Sequence, residues 1–302
     1  MAERLNATSV TGTVPEIKID LPHSRNTPWR RFQRHRLAMA SLILLIVLCL
    51  VAVFAPLVAG QSPYLVDLNH IKAPPGQGHL LGTDAAGRDV WARLVFAARV
   101  SMSVGIVAVT VSGLVGTLIG LISAYVGGVT DNILQRFTEL VMTFPTFFAI
   151  IIVVSLVGPN IFNVMLIIGL LGWPGLARLV RGQVLVLREV EYVLAARSLG
   201  ASNRRTIFVH ILPAVLPYIA VATTLGIASA ILTEAGLSFL GLGVQIPTAS
   251  WGNMMNASQS LSVLQNSPWL WIPPGVAIAI TVIAVNFVGD GLRDAFDPRM
   301  QI

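Results

Sequence analysis

Charge is what this 302-residue sequence has least of: Asp, Glu, Lys and Arg make up 11% of it. Soluble domains run near a quarter charged, so a water-soluble globular enzyme is excluded at the outset. Cysteine is almost missing. The single Cys49 lies inside an apolar run, can form no disulfide within the chain, and reads as a small buried hydrophobe. No stretch reads G-x-x-x-x-G-K-[ST], so the chain has no loop of that kind to cradle ATP phosphates, and no G-x-G-x-x-G follows a strand. His70 and His79 have no H-E-x-x-H spacing and no Cys partner, so they read as solvated loop histidines rather than as a metal site. Nothing pairs a nucleophile with a base. These absences predict no catalytic residue, no bound cofactor and no metal in this chain.

What the sequence has is lipid-compatible length. Hydrophobic residues make up 55% and the mean hydropathy is +0.76. A transmembrane helix needs about 20 mainly apolar residues. Residues 37–59, 101–125, 206–232 and 268–288 each meet that requirement. The apolar stretch 137–177 is too long for one span, and Gly158-Pro159-Asn160 divides it into two. The expected fold class is therefore all-α, a polytopic bundle of six transmembrane helices. Pro145 and Pro174 fall within the third and fourth spans, where they are expected to kink the helix and not to end it. Trp251, Trp269 and Trp271 flank the last outer loop, where aromatic belts lie.

The net charge of +6 and pI near 10.2 would suggest nucleic acid in a soluble protein. Here the basic residues sit beside apolar runs, which makes them orientation signals and argues for no nucleic-acid partner. With the N-terminus inside, only Lys72, Arg88, Arg93 and Arg99 of the 20 Lys and Arg fall in outer segments. Both termini are thus expected in the cytoplasm of a multi-pass protein of the bacterial inner membrane. The first span is expected to stay attached, since its apolar core is longer than that of a signal peptide and more than thirty residues precede it. Residues 1–28 read as a flexible polar tail.

One inner stretch does not suit lipid: LAARSLGASNRR, residues 194–205, between the fourth and fifth spans. It reads as a short helix. Glu189 and Glu191 precede it and Arg204 and Arg205 follow, an order that suits a helix dipole. Gly200 can end one helix or let another backbone come close. On position alone this could be an amphipathic connector lying on the membrane surface. Residues 188–217 resemble the EAA loop of ABC-transporter permease subunits, however. Ala195, Ala196, Gly200, Leu212 and Pro213 fall in register with that motif, while Leu194 stands at its Glu position and His210 at its Ile position.

Three further stretches are similar to the dipeptide and oligopeptide permeases. These are HLLGTD (79–84) with GRDV (87–90), LSFLGLG (237–243) with SWG (250–252), and GDGLRD (289–294) with DPR (297–299). The chain is identified on these as resembling the C-type permease subunit of a bacterial peptide-type ABC importer. The resemblance implies a type I permease fold, with a tail at 1–36, a first span at 37–59 and an outer loop at 60–100. It further implies a core at 101–289 with its coupling loop at 188–206, and a cytoplasmic tail at 290–302. It implies that Glu191, Ala195, Ala196, Arg197, Gly200, Ala201, Leu212 and Pro213 form the loop that docks into an ATPase. Glu191 would supply the charge that Leu194 does not. Expected partners are a second, B-type permease, one or two ATPase subunits holding ATP and Mg, an extracytoplasmic substrate-binding protein, and membrane lipid.

Glu234 is the one acid deep in an apolar run, and charge in a span marks a functional candidate. It is expected near the outer end, within reach of headgroups and water, organising an outer gate or translocation pathway with Gly241, Gly243 and Trp251. Gly236, Gly241 and Gly243 suggest a sharp turn there. Peptides are the expected substrate, with nickel complexes, glutathione or oligosaccharides as alternatives in the same subfamily. An ion-coupled secondary transporter fits worse, because the spans offer little polarity beyond Glu234 and Asn286 and no inverted repeat.

Overall fold

A computed structural model describes residues 28–76 and 78–297. Among these residues the chain forms helices and isolated β-bridges and no strand. The tail expected at 1–28 lies, apart from Pro28, outside the described residues, as do Pro298 and Arg299.

Helix α1 (Pro28–Arg34) buries Phe32 and leads into α2 (Arg36–Val53), whose first turn is capped by the His35 ring accepting the Ala38 N–H at 3.0 Å. A short α3 (Ala55–Ala59) comes next and ends at Gly60. Then comes α4 (Val90–Val126), which starts well before residue 101, where the apolar run begins. The cause is local. Asp89 caps it by accepting the Ala92 N–H at 2.7 Å, and two arginines near its start find partners. Arg93 faces Asp84 at 3.5 Å, and Arg99 donates to the terminal carbonyls of α2, Ala52 and Val53, at 3.0 and 2.8 Å.

The stretch expected as the third span is broken by Pro145. Helices α5 (Gly128–Thr143) and α6 (Thr146–Val157) meet at 84°. A proline lacks the N–H that would bond four residues back, and it pushes the preceding residue out of the helical region. Phe144 is accordingly extended, at φ −85° and ψ 133°. Pro145 therefore ends a helix, contrary to the kink expected of it. Pro174 behaves as expected. Trp173 stays helical, and α7 (Ile161–Gly172) and α8 (Pro174–Leu187) run on as one apolar length, Ile161–Leu187.

Beyond α8 lie α9 (Glu191–Ser198) and α10 (Asn203–Arg205), a wide π turn (Thr206–Ile211), and α11 (Leu212–Phe239). The π turn precedes Pro213, which cannot donate a backbone bond, and Leu212 N–H reaches back five residues to the Ile207 carbonyl. After α12 (Trp251–Met255) and α13 (Leu261–Asn266) the chain finishes in α14 (Ile272–Phe296). Among the described residues five helical lengths are long and apolar enough to cross a membrane, and the bent α5–α6 pair would be a sixth. The all-α polytopic fold is thus the one observed.

Helix α4 is the centre, packed by α2, α7, α8 and α11. Small residues let the backbones come close. A Cβ on Gly120 would stand 2.6 Å from the Ala177 carbonyl oxygen, and one on Gly169 would stand 2.7 Å from that of Ala108. By contrast α2 turns Ile43, Ile46, Val47 and Leu50 outward, together with Cys49. Cys49 is therefore exposed, not buried as its apolar neighbours implied; this helix packs on one side only.

Candidate functional site

The two groups of candidate residues lie at opposite ends of the antiparallel pair α4 and α11. At one end the Tyr125 hydroxyl donates to Asn203 Oδ1 at 2.9 Å; at the other the Ser101 hydroxyl donates to Glu234 Oε2 at 3.2 Å.

The first end carries α9. The short helix expected over 194–205 is in fact Glu191–Ser198, and Asn203–Arg205 already belongs to the helical run that becomes α11. Val193 anchors α9, fully buried against Leu121, Ala124, Val180, Val184, Ile211 and Val215. The other side is open. Glu191, Leu194, Ala195 and Arg197 are exposed, Ala196 and Ala201 partly so, and Leu199 is 89% exposed. Gly200 stops the helix at φ +86°, with Ala201 N–H bonded to the Ala196 carbonyl and Gly200 N–H to that of Arg197, both at 3.0 Å. This is a left-handed glycine cap. A Cβ at Gly200 would meet nothing within 4 Å, so no neighbour in this chain demands the glycine for space. Leu212 and Pro213 lie past the π turn at the root of α11, apart from this exposed face.

Beneath α9 the base is fixed by polar contacts that the linear sequence does not reveal. Arg181 forms a two-pronged ion pair with Asp131, Nε to Oδ1 at 2.7 Å and Nη2 to Oδ2 at 2.6 Å. Ser123 donates to the same carboxylate. Arg188 Nη1 donates to the Ala124 carbonyl at 2.8 Å, closing the end of α8 onto that of α4. A paired fork of this kind holds direction as well as distance.

At the other end Glu234 is completely buried, which corrects the expectation that water and headgroups reach it. Ser238 donates to its Oε1 at 2.6 Å, Ser101 to its Oε2, and the Ser250 hydroxyl is a third partner. Each of the first two serines passes the contact on. Ser238 Oγ accepts the Val244 N–H at 3.0 Å, and Ser101 Oγ accepts the Trp251 N–H at 3.1 Å. One carboxylate thereby fixes the whole segment from the end of α11 to the start of α12. Two glycines make the close approach possible. A Cβ on Gly243 would stand 2.0 Å from Ser238 Oγ, and one on Gly252 2.6 Å from Ala235 Cα.

Gly241 ends α11 at φ +82°, whereas Gly236 lies inside the helix against Phe147 and contributes to its end only a carbonyl, which accepts the Leu240 N–H at 3.1 Å. Trp251 is buried and its indole donates to the Leu94 carbonyl at 3.2 Å. Ser238, Ser250 and Gly252 lie in the stretches LSFLGLG and SWG, which by themselves assign them no role, and Ser101 is the member of the cluster that the sequence alone does not single out. The SWG and LSFLGLG stretches are usable signals; Ser101, inside an apolar run, gives none.

Two hollows accompany these groups. One of about 330 Å³ lies between α4, α8 and α11, with Ser112, Thr223 and Ser229 among apolar neighbours. Another of about 280 Å³, lined by Asp84, Arg88, Arg93, Asn253 and Asn256, adjoins α12. The segment before α4 also corrects the reading of its histidines. His79 is largely buried and its Nδ1 bonds Asp89 Oδ2 at 2.8 Å, while His70 Nδ1 bonds Asp67 Oδ2 at 2.7 Å. The His70 bond, then the Asn69 N–H, hold the Asp67 carboxyl below the usual carboxylate range.

The family described as binding-protein-dependent transport system inner membrane component matches residues 116–302, and the N-terminal TM domain of oligopeptide transport permease C matches residues 27–75. A Brucella suis biovar 1 protein named as a peptide permease is 44% identical over 272 residues, 90% of each chain. The Haemophilus influenzae oligopeptide transport system permease protein OppC is 43% identical over 272 residues, 89% of this chain and 87% of that one. The dipeptide transport system permease protein DppC of Alkalihalophilus pseudofirmus is 40% identical over 279 residues, 91% of each.

Proposed function

The chain belongs to the family of binding-protein-dependent transport system inner membrane components, and we propose that it is the C-type permease subunit of an ATP-driven peptide importer. The relatives named for peptide, oligopeptide and dipeptide transport favour peptides over nickel complexes, glutathione or oligosaccharides. In this reading the chain catalyses nothing itself. ATP and Mg are held by one or two ATPase subunits, a second, homologous permease completes the pathway, and an extracytoplasmic binding protein delivers substrate.

The observation that carries the reading is α9. A helix anchored by buried Val193 and by Tyr192 against His210, with Glu191, Leu194, Ala195 and Arg197 exposed, and following an α8 that Arg181 ties to Asp131 and Arg188 to Ala124, is shaped to receive a partner and pass on its movement. We assign Glu191, Ala195, Ala196, Arg197, Gly200 and Ala201 to the ATPase contact, and Leu212 and Pro213 to the root through which motion enters α11. Glu234, Gly241, Gly243 and Trp251 order the outer end of the pathway, and Glu234 does so as a positioning residue without touching substrate. Both termini and residues 188–206 face the cytoplasm. The division into a tail at 1–36, a first span at 37–59, an outer loop at 60–100, a core at 101–289 and a tail at 290–302 belongs to the same proposal. A coupling element of this kind works by having different contacts in two states of the complex.

Two measurements test this. Single cysteines placed in a Cys49-free background should label from outside at Gly76 and Asn256 and not at Ser202; outside labelling of Ser202 in sealed cells would overturn the orientation. In proteoliposomes the isolated chain should hydrolyse no ATP. With ATPase subunits, partner permease and loaded binding protein, peptide should stimulate hydrolysis. A complex that responds to no peptide would reject the substrate class.

A further inference from the structure

The segment between α3 and α4 folds back on itself and brings together side chains that the sequence keeps apart. Isolated bridges pair Val66 with Arg88, Gly76 with His79 and Thr83 with Asp89, and Asp67 N–H donates to the Gly87 carbonyl at 2.8 Å. Thr83 fixes the rest. Its hydroxyl donates to the His70 carbonyl and accepts the Ala73 N–H at 2.9 Å. The result is that one donor atom each from Asp67, His70 and His79 lies within 4.8 Å of the others.

The hydrogen-bond pattern says what this space wants. Asp89 is buried, and its carboxylate can only accept, so His79 Nδ1 carries the hydrogen of that 2.8 Å bond. His79 Nε2 is then left with a lone pair, and it faces Asp67 Oδ2 at 3.7 Å. Asp67 Oδ2, which accepts the His70 Nδ1 hydrogen at 2.7 Å, and His79 Nε2 present lone pairs to one space, where a cation in place of that hydrogen would satisfy all three donor atoms. A four-coordinate zinc with ligands at about 2.0–2.1 Å holds its donor atoms roughly 3.3 Å apart, so the 3.7 Å pair would close and the 2.7 Å pair of His70 Nδ1 and Asp67 Oδ2 would open, each by about half an ångström. Asp89 takes the place of the outer carboxylate that fixes the tautomer of a ligating histidine. With both imidazoles neutral, Asp67 and Asp89 balance the charge of a divalent ion. The adjacent Arg88 is engaged by Asp84 at 2.8 Å.

We propose that Asp67, His70 and His79 form a site for a borderline divalent cation of the Zn²⁺ class, with Asp89 orienting His79. Asp67 contributes a carboxylate oxygen, His79 contributes Nε2, and His70 contributes Nδ1 after its hydrogen moves through solvent to Nε2. Water completes the four ligands. Because Asp89 also caps α4, the ion fastens the preceding segment to the start of the central helix.

The test uses the full chain in its assembled complex, in lipid nanodiscs and without a histidine tag. Zn²⁺ is titrated by calorimetry, and Co²⁺ serves as a spectroscopic substitute. The unaltered chain should take up one Zn²⁺ at this site, and Co²⁺ should show the visible absorption of a four-coordinate ion. His70→Ala and His79→Ala should each weaken binding by at least tenfold. Asp89→Asn should weaken it about 10- to 100-fold while keeping the helix cap, since Asn caps as well as Asp. His35→Ala and His210→Ala should leave Zn²⁺ affinity and the Co²⁺ spectrum unchanged. Equal Zn²⁺ uptake by the unaltered chain and by the doubly substituted His70→Ala, His79→Ala chain would overturn the site. So would a Co²⁺ spectrum that is unchanged by those two substitutions.

Discussion

Gly200 and Gly241 end their helices in the same way, yet the chain beyond them enters opposite surroundings. Both glycines take a left-handed backbone, and both helix ends close with paired backbone bonds, Ala201 to Ala196 and Leu242 to Leu237 among them. After Gly241 the chain drops into a buried network around Glu234, where Ser238, Ser101, Val244 and Trp251 hold one another. Neither glycine has a neighbour within 4 Å of where a Cβ would stand, but after Gly200 the chain stays exposed or half-buried through Arg205, and Leu199 before it stands almost bare. One end is completed by its own chain; the other stands exposed, the face assigned above to the proposed ATPase contact. The same turn is followed by a buried network in one place and by an open face in the other.

The contrast breaks most sharply at the glycines of the closed end. Gly243→Ala and Gly252→Ala should each prevent the mature fold, because the new methyl would meet atoms at 2.0 and 2.6 Å that include or adjoin backbone. Detergent-extracted variants should aggregate in size-exclusion chromatography. Monodisperse protein with unchanged thermal stability would show that the segment after α11 is looser than its contacts imply.

Glu234→Ala comes next. It leaves the hydroxyls of Ser101 and Ser238 without their acceptor, at a cost of about 1–3 kcal/mol for the unsatisfied group. The melting temperature should fall, and Ser101→Ala should lower it less. A Glu234→Ala chain as stable as the parent would remove the carboxylate from its organising role.

Gly200 sharpens the contrast from the open side. Gly200→Leu should cost only the left-handed strain of about 1–2 kcal/mol within the chain. Membrane delivery and pairing with the partner permease should persist while transport and ATPase stimulation fail. Gly200→Asn, which tolerates this backbone, should recover the strain without a large side chain and keep much of the coupling. Normal transport by a fully delivered leucine variant would make α9 a mere connector. The smallest effect is expected of Glu191→Ala. An exposed charge contact is worth about 0–1 kcal/mol, so ATPase stimulation should change little. A total loss would show that Glu191 sits in a buried interface.

Legible in the sequence is whatever a window of neighbouring residues decides. The apolar lengths, the division at Gly158-Pro159-Asn160 and the glycine stop at Gly200 are all local features of this kind. Pro145 and Pro174 look alike because proline chemistry is the same at both. Their outcomes diverge through the conformation of the preceding residue, extended at Phe144 and helical at Trp173. The early start of α4 is hidden because Arg93 and Arg99 read as loop charges until Asp84 and the carbonyls of α2 come near. The burial of Glu234 depends on Ser101, and the pairing of Asp131 with Arg181 on a fold that joins distant segments. No window contains both partners. His79 reads as solvated for the same reason, since the meaning of its ring comes from Asp67 and Asp89.

The two longest helical runs, Val90–Val126 and Asn203–Phe239, have 37 residues each. At about 1.5 Å per residue each extends roughly 55 Å, against a hydrocarbon thickness of about 30 Å. Even a tilt of about 20° leaves most of that surplus outside the lipid. A single run thus reaches from the root of the α9 loop to the Glu234 cluster, and its neighbour lies alongside for the same distance. Between those two stations there is no hinge loop in which a displacement could be absorbed. Only the π turn and Pro217 interrupt the regular pitch, and both lie in the half nearer α9. If α9 is the contact proposed above, a load applied there would reach the other face as the travel of a rod.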